Sequence, residues 1–132
     1  MDDEDGPAPT RLQRRSAALA ERLPGVERSH QAQGDWDFWK VGGKTFLAHT
    51  ALPGEPVVTV KVDPADGEGL RAQYPQITPG YHMNKQHWVS VHPGEQVPTE
   101  VLDELVVESY RLVVGGLRRD LRPVDPATFR PE

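Results

Sequence analysis

The sequence predicts an α+β fold, a single domain with one antiparallel sheet covered on one face by N- and C-terminal helices and at least partly open on the other. Three observations carry this. Leu102, Leu105, Val106, Ser109, Leu112 and Val113 recur at three- and four-residue spacing, as on an amphipathic helix, and Gly115-Gly116 stops it. Two strand-like segments meet at Gly42-Gly43, whose tolerance of positive φ suits a two-residue hairpin turn. The run Pro56-Val57-Val58-Thr59-Val60-Lys61-Val62 is β-branched, with proline at its start, where a missing donor is tolerated. A chain of 132 residues has room for one core and not for two.

Taken in order, residues 1–9 read as a disordered acidic tail, residues 10–117 as the folded domain and residues 118–132 as an extended tail bearing proline and arginine. Thr10 can cap a first helix that reaches about Leu23, where Pro24-Gly25 ends it. Leu12, Ser16, Leu19, Ala20 and Leu23 share its inner face, and Arg11, Arg14, Arg15 and Arg22 lie largely off it. Residues 27–35 are polar and irregular, with room for an edge strand at their start. In the hairpin, Val41 falls opposite Lys44, and an unbroken ladder then sets Trp39 opposite Phe46 and Phe38 opposite Leu47. One face would carry Trp39, Val41, Phe46 and Ala48, the better core candidate. The other would carry Trp36, Phe38, Lys40, Thr45, Leu47 and His49. In the next strand Val58, Val60 and Val62 share a face, leaving Val57, Thr59 and Lys61 on the opposite one. Asp63-Pro64 marks a helix start, with Asp as cap and Pro at the first position, and the helix runs to about Gln73.

Composition removes several function classes. The formal net charge is −5, of which Asp2, Asp3, Glu4 and Asp5 supply four, so the remainder lacks the basic footprint of a strong phosphate binder. There is no cysteine, hence no disulfide framework, thiolate nucleophile or Cys-ligated metal. No apolar run approaches the roughly 20 residues that span a bilayer, and the acidic start is the reverse of a signal peptide. A cytoplasmic protein without membrane contact is expected. His82 and His87 straddle a loop and a strand instead of sharing a helical face, so no metal and no cofactor are expected. Neither a nucleophile elbow nor a phosphate-cradling glycine loop is present, and the chain is read as non-enzymatic.

One stretch stands apart: Ile77-Thr78-Pro79-Gly80-Tyr81-His82-Met83-Asn84-Lys85-Gln86-His87-Trp88-Val89. Pro79-Gly80 forces a turn, and His87-Trp88-Val89-Ser90-Val91 reads as a strand, so Tyr81 to Gln86 form a loop that delivers polar and aromatic groups to a strand end. Tyr81-His82-Met83-Asn84-Lys85-x-His87-Trp88 resembles the signature of the MmcQ/YjbR family, small bacterial proteins usually described as predicted DNA-binding proteins with a frataxin-like (CyaY-like) fold. Weaker matches follow in order along the chain: Leu23-Pro24-Gly25-Val26-Glu27, Lys40-Val41-Gly42-Gly43-Lys44-x-Phe46, Val60-Lys61 with Leu70-Arg71, and Ser109-Tyr110. The resemblance spans residues 10–117 and implies weak, salt-sensitive DNA binding.

On that reading Lys40, Lys44, Lys61, Arg71 and Lys85 meet phosphates, and His82, Asn84 and His87 bond to phosphate, sugar or base edges. Trp36, Phe38 and Trp88 offer stacking surfaces. Two alternatives stand beside it. The aromatic face, with its histidines and lysine, could hold a planar antibiotic-like small molecule, or it could be covered by a second copy in a homodimer.

Overall fold

The computed structural model describes residues 10–131; the predicted acidic tail, residues 1–9, lies outside the described residues. Thr10 Oγ1 accepts from the Gln13 backbone N–H at 3.2 Å and opens α1, Arg11–Ala20. Strands β1 (Val26–Gln31), β2 (Trp36–Val41), β3 (Lys44–Thr50) and β4 (Val57–Lys61) follow as an antiparallel meander. Asp63 Oδ1 then caps α2, Pro64–Gln73, by accepting from Ala65 N–H at 3.1 Å. β5 (Ile77–Pro79), β6 (Trp88–Val91) and α3 (Thr99–Gly115) complete the domain. The sheet order is β1-β2-β3-β4-β6-β5, antiparallel throughout, and the three helices pack on one face.

The apolar faces read from the sequence meet in the core. Leu12, Leu19, Ala20 and Leu23 face Leu102, Val106 and Tyr110 of α3 and the sheet residues Val58, Val60 and Val89, all buried. The polar stretch after Val26 forms a full edge strand, β1, and a three-residue edge strand, β5, lies where the sequence shows only the approach to a turn.

The hairpin register differs from the unbroken ladder. Val41 does pair with Lys44 and Lys40 with Thr45, but the register then shifts, so Trp39 pairs with Leu47, Phe38 with Ala48 and Asp37 with His49. Phe46 is the extra residue of a β-bulge, and beyond a bulge every side chain changes face. Leu47 and His49 therefore turn toward the helices, and Ala48 turns outward beside Phe38, reversing the expectation for all three.

Ser109 explains why the bulge is tolerated. From α3 its hydroxyl donates to the Phe46 carbonyl at 2.6 Å and accepts from the Lys61 backbone N–H at 2.8 Å. Next to it the Tyr110 hydroxyl donates to the Pro24 carbonyl at 2.6 Å, and burial pushes the phenol up to about 12. The Ser109-Tyr110 pair is thus structural. Ser109→Ala should cost about 2 kcal/mol, since two buried backbone groups lose their partner; a urea midpoint within error of wild type would contradict this role.

The extended tail expected beyond Leu117 is docked instead. Arg119–Leu121 forms a 3-10 helix, and Arg122 caps α3 by donating to the carbonyls of Leu117 (2.9 Å) and Gly115 (2.8 Å). Phe129 packs on Tyr110 with ring centroids 5.5 Å apart. Leu117 closes against the hairpin turn, where a Cβ on Gly42 would lie 2.6 Å from its Cδ1.

Candidate functional site

The outer face, away from the helices, can be read as cross-strand rows. One row runs Ser29, Phe38, Ala48, Thr59, Ser90, Thr78 across all six strands. Next to it lie Glu27, Lys40 and Thr45, with Lys61 opposite Trp88 further across; on the other side Gln31 pairs with Trp36. Over the middle of this face folds the loop between β5 and β6. The Tyr81 backbone N–H donates to Ser90 Oγ at 2.9 Å, and Ser90 Oγ in turn meets Thr59 Oγ1 at 2.7 Å. Thr59, Ser90 and Ala48 are fully buried beneath it.

The loop's distinctive residues hold its own shape. Gly80 donates its N–H to the Trp88 carbonyl at 2.8 Å, an approach so close that a Cβ there would sit 2.5 Å from Trp88 Cβ. Lys85 Nζ returns to the Gly80 carbonyl at 3.0 Å. Asn84 Oδ1 accepts from the backbone N–H groups of Gln86 (2.9 Å) and His87 (3.2 Å), an Asx turn that aims the chain into β6. His82 takes φ +59°, uncommon for a residue with a Cβ, in the turn closed by Met83 N–H on the Gly80 carbonyl. The outcome is placement of two rings: Tyr81 stacks 6.4 Å from Trp36, and His82 meets Trp36 edge-on at 6.3 Å.

Trp36, Phe38, Tyr81 and His82 thus form one aromatic cluster. Trp36 and Phe38 lie parallel, 5.5 Å apart, and Lys40 Nζ stands 5.9 Å from the Phe38 ring centre. Trp36 is only 7% exposed, with Gly34 and Leu52 against it, so it serves as the base of the cluster and offers no open stacking surface. Beside it opens a groove of about 660 Å³. Trp36, Phe38, Leu52 and Met83 supply its apolar walls and Gln31, Gln33, Thr45 and His82 its hydrogen-bonding groups; no Lys, Arg, Asp or Glu lines it.

The remaining sequence candidates scatter. Lys61 and Trp88 are half-buried and share the outer face, but not the groove. Lys44 shares Val41's side of the hairpin at the exposed turn. Arg71 belongs to α2 in the helix layer, on the opposite side of the sheet from Phe38. Asn84, Lys85 and His87 are exposed, yet Asn84 and Lys85 are tied to backbone partners as described. No local sequence signal marks Leu52, Met83, Gln31 or Gln33; Gly34 just ahead of Trp36, and Tyr81 in the loop, are the only local hints of a lined recess.

A larger groove of about 1000 Å³ lies between the helices. Arg15, Arg22, Arg111 and Arg130 are balanced there by Asp66, Asp103, Glu104 and Glu108, and Arg15 is clamped to Asp103 at 3.0 and 2.6 Å. Exposed pairs of this kind add little to stability, and with four cations set against four carboxylates the groove presents no field of one sign to a charged ligand. Among the described residues no helix is long and apolar enough to cross a membrane.

A helix-backed antiparallel sheet whose other face is covered by a Gly-Tyr-His-Met-Asn-Lys loop defines a small single-domain α+β protein. The chain belongs to the YjbR family, whose model matches residues 21–112. It is 43% identical over 109 residues to the uncharacterised protein YbdF of Escherichia coli O157:H7, covering 82% of this chain and 89% of that one. It is 32% identical over 101 residues to the uncharacterised protein YjbR of Escherichia coli K12, covering 75% and 84%. Among solved structures, Deinococcus radiodurans protein DR2400, a DUF419 domain, superposes with a TM-score of 0.73 at 34% identity over 80% of each chain. A Pseudomonas syringae protein shares the fold at TM-score 0.64 and 24% identity, over 79% of this chain and 98% of that one.

Proposed function

We propose that this protein is a binding protein whose outer sheet face takes an uncharged planar small molecule in the groove beside Trp36 and Phe38. The observation that carries the reading is the groove's chemistry: apolar and aromatic walls, four side chains able to hydrogen-bond, and no fixed charge. Small-molecule sites have this size and balance. Phe38, half-buried and parallel to Trp36, gives a planar guest a ring to stack on. His82 and the glutamines supply orientation, and the strained φ of His82 is the local cost of aiming its ring there.

Titrating tryptophan fluorescence with a panel of neutral heteroaromatic compounds tests this. Saturable quenching by some members, weakened about tenfold in Phe38→Ala, is the expected result. Quenching that is equal in wild type and Phe38→Ala would remove the groove from the reading.

DNA binding is a second reading, favoured by Lys40 and by Lys61 beside Trp88 on the same face. It predicts weak anisotropy changes with labelled oligonucleotide at low salt that Lys40→Glu and Lys61→Glu abolish. The tethering of Asn84 and Lys85 and the helix-layer position of Arg71 leave it fewer contacts than the sequence suggested, which is why we place it second. A homodimer interface ranks lower still, because Leu52 and Leu121 are the only large apolar side chains exposed among the described residues.

A further inference from the structure

A second cluster lies at the β5–β6 edge of the sheet, apart from the groove. Thr78 of β5 and His92 just beyond β6 meet there, and the loop between β3 and β4 brings Glu55 beside them. His92 Nδ1 is 2.6 Å from Glu55 Oε2, and Nε2 is 2.9 Å from Thr78 Oγ1. Each ring nitrogen thus has its own partner, a carboxylate on one side and a hydroxyl on the other. In such an arrangement the carboxylate fixes the tautomer with the proton on Nδ1, and the lone pair of Nε2 is left to receive the hydroxyl proton.

The backbone around the ring is pinned. His92 donates its N–H to the Gln76 carbonyl at 2.8 Å, and Gln76 Nε2 donates to the His92 carbonyl at 2.7 Å. Gln76 Oε1 accepts from the backbone N–H groups of Gln96 (2.7 Å) and Val97 (3.0 Å). Thr78, His92 and Glu55 all line an open pocket of about 520 Å³. Gly94 and Glu95 line it too, at its exposed rim.

We propose that Thr78 is an activated nucleophile and that this pocket accepts the acyl group of small uncharged esters. Thr78 Oγ1 attacks the ester carbonyl carbon while His92 Nε2 takes the hydroxyl proton, and Glu55 stabilises the resulting imidazolium. The tetrahedral adduct collapses by breaking its bond to the leaving alcohol, which departs with the proton from His92. Water then attacks the Thr78 ester with His92 again as base, releasing the carboxylic acid and restoring the hydroxyl. Glu55 and Glu95 at the pocket disfavour anionic acyl groups.

The test uses the full chain with p-nitrophenyl acetate, following p-nitrophenol release and mapping the adduct by peptide mass spectrometry. An acetyl group on Thr78 is expected, formed about 100-fold or more slower in His92→Gln and absent in Thr78→Val. Thr78→Ser should retain the reaction and Glu55→Gln should slow it. Acetylation should fall in His92→Gln and Glu55→Gln even where their urea midpoints match wild type, a split that a purely structural cluster would not give. No adduct on Thr78, or equal rates in wild type, His92→Gln and Glu55→Gln, overturns the proposal. Glu55 is exposed, so its variant decides the matter even if Thr78→Val fails to fold.

Discussion

Acidification from pH 6.5 should destabilise the fold by about 1.4 kcal/mol per pH unit through His49 alone. The bulge at Phe46 turns this histidine inward, where it is 6% exposed and lies 4.5 Å from the Trp39 ring. Burial pushes it down to about 3, with Arg28 adding to the effect and the Asp37 carboxylate opposing it. Ser16 Oγ, itself buried, lies 2.9 Å from the Leu12 carbonyl, 3.2 Å from that of Gln13 and 2.8 Å from His49 Nε2. The hydroxyl has one proton to give to α1, so His49 is the donor to Ser16, neutral with its hydrogen on Nε2. Below about pH 6.5 the unfolded chain takes up a proton on this residue while the folded chain does not until about pH 3. Stability is therefore complete above pH 6.5 and is lost as pH falls. Urea unfolding between pH 7.5 and about pH 4.5 should show a steeper loss in wild type than in His49→Gln, the carboxylate share cancelling in the comparison. Parallel profiles would mean that His49 titrates normally and is not sealed as described.

Gly80→Ala should cost about 3 kcal/mol or more and dismantle the loop over the outer face. The added Cβ would sit 2.5 Å from Trp88 Cβ and 3.0 Å from the Trp88 carbonyl carbon, in a region bound as backbone to β6 that cannot swing aside. Relief requires opening the Gly80–Trp88 hydrogen bond, and that also displaces the carbonyl on which Lys85 and Met83 converge. Tyr81 and His82 would then leave Trp36, so tryptophan emission should shift to longer wavelength along with the lower midpoint. A variant of wild-type stability and emission would contradict the loop's proposed anchoring. His82→Gly provides the contrast: it relieves a positive φ at the cost of one ring, so its stability should change far less.

Much of the fold was legible because its signals are local. Gly42-Gly43, Asp63-Pro64 and the repeating Leu and Val of α3 each specify their element within a few residues. The bulge was not legible, since the group that satisfies Phe46 and Lys61 comes from Ser109, far along the chain. β5 has three residues and ends in proline, too little for a strand pattern, and it exists because β6 pairs with it. The segment after Leu117 looks extended in sequence and is ordered by tertiary partners, Phe129 on Tyr110 and Arg122 on the end of α3. In the site, the outward facing of Trp36, Phe38 and Lys40 followed from alternation. The burial of Trp36 did not, because Gly34, Leu52 and Tyr81 reach it from separate loops. Asn84 and Lys85 show the same limit, for an amide and an ammonium suit a phosphate contact and a backbone clamp equally well until the turn around them is known.

Amide chemical-shift mapping by NMR, with a neutral heteroaromatic compound that quenches the tryptophans, tests the binding surface most directly. The groove reading predicts saturable shifts concentrated at Gln31, Gly34, Phe38, Thr45, His82 and Met83, with the helix layer undisturbed. Shifts centred between α1 and α3, or confined to Lys40, Lys61 and Trp88 and reproduced by an oligonucleotide, would contradict it.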